Sequence, residues 1–131
     1  MPQASLIATL GSEPQVVTIV LDRLLAQGQP IDQALVVHTG AQPVLAALRA
    51  VRAEFDAHAY PGIQLQAVPV QGLQGPVKDL HTEEDMWALL RTLYSLLRSV
   101  KRAGRTAHLC ISGGRKAMGI AGMVAAQLLF D

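Results

Sequence analysis

Short apolar runs alternate with longer stretches of helical periodicity along the chain. Each apolar run is compact and is followed by glycine, proline or polar residues, which is typical of buried strands. The longer stretches place apolar side chains three and four residues apart, the spacing of one face of a helix. The alternation of strand and helix, repeated four times, predicts an α/β fold with a mostly parallel sheet and right-handed crossovers.

The pattern also gives the bounds of the expected elements. Strands are predicted over 5–10, 34–38, 63–70 and 107–111, and helices over 44–55, 86–100, 115–130 and from Val16 to a stop at Gly28. The third strand alternates apolar and polar residues, as an edge strand with one wetter face would. Residues 71–85 have no period and are predicted to be the longest irregular connection, either a lid over a site or a solvated loop.

The expected strand order is 3-2-1-4. In that order the chain moves from strand 1 to strand 3 and then returns to the other side of strand 1, so the switch point lies between strands 1 and 4. Ligands of open α/β sheets bind at such a point, outside the carboxyl ends of the strands. The loops 11–13 and 112–116 should therefore face each other across a binding site.

Composition bounds the domain count and the partners. A chain of 131 residues fits a single domain over 1–131. Half of its residues are hydrophobic and only 16% are charged, which indicates a well-buried domain or a large apolar face covered by a partner. The formal net charge of +1 gives no broad basic surface for long nucleic acid, although a small anion can still bind locally.

The lone Cys110 cannot form an intramolecular disulfide, and the N-terminus lacks the features of a signal peptide, so a cytoplasmic protein is expected. The apolar stretch 117–130 is shorter than the roughly 20 residues of a membrane span. It is apolar nearly all round and contains Gly119 and Gly122, which favours burial against a second copy of the chain over a purely internal role. The histidines show no spacing with cysteines or carboxylates that predicts a metal site, and no cofactor is expected.

Two further expectations concern the third helix and its surroundings. Arg98, Lys101, Arg102 and Arg105 are expected to complement the carboxyl-terminal end of this helix. Trp87 is expected to pack in the interior, because one aromatic residue without a neighbour is no platform for stacking a base.

Residues 108–119 carry the strongest chemical signal of the chain. Gly113 and Gly114 let a ligand approach the backbone, and the amides that follow them begin a helix and point at an anion. Arg115 can fork onto phosphate oxygens, and Lys116 can supply a mobile positive charge. A glycine pair at this point is also compatible with a tight connection alone.

A second glycine turn stands opposite the first in the predicted sheet. Gly11 and Ser12 offer a hydroxyl and helix-start amides, although Ser12 can equally be a helix N-cap. His38 ends the second strand on the same edge, where it can stack on a base or bond a ribose. No hydrolase triad, P-loop or dinucleotide-binding glycine pattern is present in the sequence.

Four motifs together resemble a known family. They are Ile-Ala-Thr-Leu-Gly-Ser-Glu-Pro-Gln-Val-Val-Thr at 7–18, His-Thr at 38–39, Lys-Asp-Leu-His-Thr-Glu-Glu-Asp at 78–85 and Ile-Ser-Gly-Gly-Arg-Lys-Ala-Met-Gly at 111–119. In this order they are similar to the CRISPR-associated Rossmann-fold (CARF) proteins, and most to the NE-type branch from which ring nucleases are drawn. The resemblance implies a three-layer Rossmann-like sandwich. It also implies a homodimer that binds cyclic oligoadenylate, most often cyclic tetra-adenylate, in a groove across the two-fold axis.

The resemblance further implies a metal-independent ring nuclease that switches off type III CRISPR signalling. Lys116 matches the cation that stabilises charge on the scissile phosphate, Ser12 matches a position that aligns the ring, and Arg115 completes the expected catalytic set. The reaction would leave 2′,3′-cyclic phosphate ends, and slow turnover is expected because neither loop carries a strong general base. The implied ligand contacts are Gly11, Ser12, Glu13, Gln15, His38, Thr39, Ser112, Gly113, Gly114, Arg115, Lys116 and Met118.

The chain departs from the family in one respect. A CARF domain usually continues past the helix that follows the Gly-Gly-Arg-Lys turn into further strands, whereas this sequence stops at Asp131. Either the fold is minimal or the sequence ends early. Two other functions remain open: a cyclic oligoadenylate sensor that does not cut, and a Rossmann-like module for another phosphate-bearing metabolite.

Overall fold

The structure, a computed structural model, describes residues 3–110. The expected fourth helix, over 115–130, lies outside these residues. The elements in chain order are β1 (Ala4–Thr9), α1 (Gln15–Ala26), β2 (Ile31–His38), α2 (Gln42–Asp56), β3 (Gln64–Pro69), β4 (Gln71–Gly72), β5 (Gly75–Pro76), α3 (Glu83–Arg102) and β6 (Thr106–Cys110).

The main sheet has four parallel strands in the order β3-β2-β1-β6. This confirms the predicted order, with β6 as the fourth strand. The register places Ile7 of β1 between Leu35 of β2 and Leu109 of β6. β1 is therefore the central strand at which the direction of connection reverses.

Helices cover both faces of the sheet, because the two central strands are apolar on both sides. Neighbouring residues of a strand point to opposite faces, so Val36 packs toward α1 and α2 while Val37 packs toward α3. The buried side chains of α3 include Leu89, Leu93 and Leu97. On the other face the buried helical side chains are Val17, Leu21, Ala47, Leu48 and Val51. The result is the predicted α/β/α layering.

α3 begins with a capping box. The hydroxyl of Thr82 accepts from the Asp85 amide at 3.1 Å, and the Asp85 carboxylate accepts from the Thr82 amide at 3.1 Å. That carboxylate also accepts from the His81 amide at 2.9 Å. These bonds, chiefly the one from the His81 amide, hold the pKa of Asp85 below its usual value. The helix starts at Glu83, three residues before the predicted start at residue 86.

The prediction of an irregular connection over 71–85 was wrong at both ends of the segment, whereas residues 77–82 have no strand or helix. The segment contains an antiparallel hairpin of β4 and β5, with Gly72 opposite Gly75, and α3 starts at Glu83. Two-residue strands are too short to show a period, so the sequence pattern cannot distinguish them from a loop. Gly75 has a φ of +118°, which a residue with a Cβ rarely adopts.

Two other expectations were wrong. Arg105 does not complement the end of α3, because its guanidinium donates to the Ser5 hydroxyl at 2.9 Å and forms an ion pair with Asp32. Trp87 is 52% exposed and is not among the buried residues of α3, which begin at Ala88. Within 3–110, no helix is long and apolar enough to cross a membrane.

Candidate functional site at the carboxyl edge of the sheet

The four parallel strands end at one edge of the sheet, which we call the carboxyl edge. In the described residues it carries the loops 10–14, 39–41 and 70–82. Ala8 of β1 is paired with Cys110, the last residue of β6. The first loop therefore starts beside the point where the chain leaves β6, which is the geometry expected of the switch point.

The first loop presents polar side chains to solvent. The amide of Leu10 donates to the carbonyl of Val37 at 2.9 Å, which fixes the start of the loop against β2. Ser12 is exposed, and α1 has Pro14 as its N-cap residue with no side-chain capping bond. The hydroxyl of Ser12 is thus not used as a helix cap, the alternative that the sequence left open.

Glu13 and Gln15, two further expected ligand residues, contact each other. The Gln15 side-chain amide donates to the Glu13 carboxylate at 2.7 Å, and both side chains are exposed. This bond turns the carboxylate toward the first turn of α1, where the helix dipole favours negative charge. It also occupies the only carboxylate of this loop.

His38 and Thr39 close the end of β2 and are 7% and 4% exposed. The Nδ1 of His38 lies 2.9 Å from the carbonyl oxygen of Thr39. A carbonyl can only accept, so Nδ1 carries the proton and Nε2 is the acceptor of the neutral ring. The Thr39 hydroxyl accepts from the amide of Ala41 at 3.4 Å. Both residues stand at the carboxyl edge, and their contact with a ligand stays a prediction.

The hairpin folds back over the end of β2 and brings Lys78 to this edge. The Val70 amide donates to the carbonyl of His38 at 2.9 Å, and the Gly40 amide donates to the carbonyl of Val77 at 2.9 Å. A Cβ at Gly40 would lie 3.5 Å from the Cα of Lys78. Sequence reasoning missed Lys78 as a site residue, although the residue opens the motif at 78–85.

The other half of the expected site lies outside the described residues. This applies to Ser112, Gly113, Gly114, Arg115, Lys116 and Met118. Within the described part of the chain, no three His, Cys, Asp or Glu side chains are grouped as a metal site requires. What this part offers is an exposed hydroxyl, an exposed lysine and helix-start amides, all of which are hydrogen-bond donors suited to an anion.

A family model described as CRISPR-associated protein NE0113 matches residues 13–131. The match spans most of the chain and includes three of the four motifs in full. The chain belongs to the CRISPR-associated protein NE0113 family. This confirms the branch that the sequence motifs indicated.

One further protein resembles the chain in sequence, and a solved structure resembles it in fold. The CRISPR system ring nuclease SSO2081 of Saccharolobus solfataricus is 31% identical over 125 residues, which cover 93% of this chain and 64% of the relative. The chain thus spans less than two thirds of that relative's length. Can2 from Sulfobacillus thermosulfidooxidans, solved in complex with cyclic tetra-adenylate, superposes with a TM-score of 0.56 at 15% identity. The superposition covers 96% of this chain and 30% of Can2, and shows a shared fold.

In this NE0113-family chain, the described half of the candidate site combines hydrogen-bond donors with bases that differ in exposure. The described residues of this edge include four groups that can act as a general base, Glu13, His38, Asp79 and His81, and the Asp79 carboxylate lies 3.3 Å from the His81 ring. The Glu13 carboxylate is hydrogen-bonded to Gln15, and the His38 ring is buried. The donors of this edge are suited to holding a phosphate diester in a fixed geometry.

Proposed function

We propose that this protein binds cyclic oligoadenylate at the switch point and cleaves the ring without a metal ion, ending a type III CRISPR signal in the cytoplasm. The observation that carries the proposal is the exposed Ser12 loop beside the end of β6. The Gly-Gly-Arg-Lys sequence follows β6 directly along the chain. The relative named as a ring nuclease supports the same activity.

The proposed reaction uses the substrate's own nucleophile. A ribose 2′-hydroxyl attacks the adjacent phosphorus, the bond to the 5′-oxygen breaks, and the products are a 2′,3′-cyclic phosphate and a 5′-hydroxyl. The 2′-oxygen loses its proton to solvent, and the leaving 5′-oxygen gains one from solvent. Ser12 holds the ring in line for this attack, while Lys116 and Arg115 stabilise the charge that develops on the phosphate.

The ring is proposed to bind across a homodimer. Each protomer supplies one carboxyl edge, and two edges related by a two-fold axis form a groove that suits a symmetric ring. The other predicted contacts among the described residues are Gly11, Glu13, Gln15, His38 and Thr39. In this proposal each protomer contributes them to its own side of the groove.

Because slow cleavage of the ring is expected at this site, the second candidate function is a sensor. Because the carboxylate of Glu13 is engaged and His38 is buried, the protein can act as a sensor that binds the ring and does not cut it. The third candidate function is a module that binds another phosphate-bearing metabolite.

The test is incubation of the pure protein with cyclic tetra-adenylate in the presence of a chelator. Linear products with 2′,3′-cyclic phosphate ends support the ring nuclease, and binding without products supports the sensor. The absence of binding would rule out both. Lys116→Ala should reduce cleavage far more than binding, because charge on the phosphate grows in the transition state. Ser12→Ala should lower the rate moderately, and unchanged turnover of the Lys116 variant would refute the role of this lysine.

A further inference from the structure

Lys78 is the only lysine or arginine in the described loops of the carboxyl edge, which are 10–14, 39–41 and 70–82. It is exposed and lies beside Gly40, one residue after the predicted ligand residue Thr39. A phosphate diester that reaches this edge therefore meets one side-chain cation from the described half of the site.

The backbone of Lys78 is held in place by the fold. Val77, directly before it, and Leu80, two residues after it, are 7% and 9% exposed and belong to the core beneath α3. The Val77 amide donates to the carbonyl of Val70 at 2.8 Å, and the Val77 carbonyl accepts from Gly40 at 2.9 Å. Binding an anion would order only the lysine side chain, because the backbone that carries it is already fixed.

Three carboxylates close to Lys78 in the chain have other partners, and Glu83 lies between them in the first turn of α3. Asp79 accepts from the Leu80 amide at 2.8 Å and lies 3.3 Å from the His81 ring. Asp85 forms the capping box of α3, and Glu84 lies 4.0 Å from Arg91. Within residues 3–110, Lys78 forms no ion pair. Its charge is therefore available to a ligand.

The two sides of Lys78 differ in charge. On the α3 side, a cleft of about 400 Å³ is lined by Lys78, Thr82, Glu84 and Asp85, and its two carboxylates repel a phosphate. On the other side lie Thr39 and Gly40, which carry no charge. We infer that Lys78 binds a phosphate of the cyclic oligoadenylate on the Gly40 side of the carboxyl edge. The inference rests on the proposed function and adds a binding residue that acts before the chemical step.

The test measures ring binding in the Lys116→Ala background, so that the ring stays intact. Lys78→Ala is expected to weaken binding of cyclic tetra-adenylate about tenfold for each charge-assisted contact removed, and the proposed dimer loses one contact per protomer. The slope of log Kd against log salt should become shallower by about 0.7 for each phosphate contact removed. Lys78→Arg should keep most of the affinity and the slope. Arg52→Ala, which removes the same charge from the exposed face of α2, should change neither.

Each outcome decides a different claim. If the wild-type site binds the ring and Lys78→Ala has the same affinity and salt dependence, the role of Lys78 is overturned and the proposed function stands. If Arg52→Ala weakens binding equally, the effect is one of net charge and the contact is also overturned. If the protein with Lys78 intact binds no ring, the proposed function fails and the inference falls with it. Thermal unfolding of each variant shows that an affinity change is not loss of fold.

Discussion

Arg105 joins the amino-terminal ends of three strands through one guanidinium group. Its Nε donates to the Ser5 hydroxyl at 2.9 Å, and its Nη2 donates to the Ala4 carbonyl at 3.3 Å and to Asp32. Ser5 is fully buried, so its hydroxyl needs partners within the protein. The hydrophobic pattern of a sequence shows only relations between residues close together in the chain. Arg105 is 73 residues from Asp32. This is why the sequence assigned Arg105 to the helix end and did not extend β2 to include Asp32.

Arg105→Ala should lower the free energy of unfolding by about 1–2 kcal/mol, because it removes the donors to Ser5, Ala4 and Asp32. The Asp32 side chain is 38% exposed, so solvent screens the ionic part and most of the loss comes from the buried hydrogen bonds. Urea unfolding measures the change. Arg102→Ala, at the exposed end of α3, is the matched control, and equal losses in the two variants would contradict the prediction.

Long elements were predictable from the sequence and short ones were not. α3 has 20 residues, and its buried positions keep helical spacing from Ala88 to Val100. The hairpin of β4 and β5 has strands of two residues, and its position depends on contacts with Gly40 and the end of β2. Such contacts between distant parts of the chain leave no periodic signal in the sequence.

The start of α3 should be sensitive to acid. The lowered pKa of Asp85 means that its carboxylate stabilises the folded state above the unfolded pKa of about 3.9, and that this contribution is lost as the pH falls through the folded value. Asp85→Asn should therefore be less stable than the wild type at pH 7, and the difference should shrink below about pH 4. Unfolding curves across pH measure this difference. Glu83→Gln, in the same turn but outside the capping box, should show no such convergence.

Gly75 and Gly62 form a matched pair for testing the hairpin. Both have positive φ, +118° and +82°, and a Cβ at either would meet nothing within 4 Å. Substitution by alanine should thus cost each protein about 1–3 kcal/mol of backbone strain. Only Gly75→Ala should also weaken ring binding, because the strain falls on the hairpin that carries Lys78. Calorimetric binding together with thermal unfolding separates the two effects, and equal affinities would show that the hairpin does not contribute to the site.

At the scale of the whole molecule, the order of strands in the sheet was predictable from how the strands are connected along the chain. Three strands connected in one direction and a fourth placed on the other side of β1 allow few arrangements, since the crossovers are right-handed, and the observed order is β3-β2-β1-β6. The same topology placed Gly11 and Ser12 at the switch point in advance. It did not place Lys78 there, because the fold-back of residues 70–80 over Gly40 is a tertiary contact. The position of the Ser12 loop in the candidate site was thus predictable from topology. The position of Lys78, in the segment that follows β3, was not.

The proposed homodimer predicts how many rings bind per chain. A single carboxyl edge offers one Ser12 loop and one Lys78, whereas a ring of repeating phosphates presents equivalent groups on opposite sides. We therefore expect one cyclic tetra-adenylate per two chains in calorimetry, and a dimer in sedimentation without the ring. Gly122→Gln, in the stretch whose glycines predicted close approach of a second chain, should weaken the dimer and ring binding together. Ala50→Gln on the exposed face of α2 should affect neither. One ring per chain, or ring binding that survives in a monomeric Gly122 variant, would show that the groove is built within a single protomer.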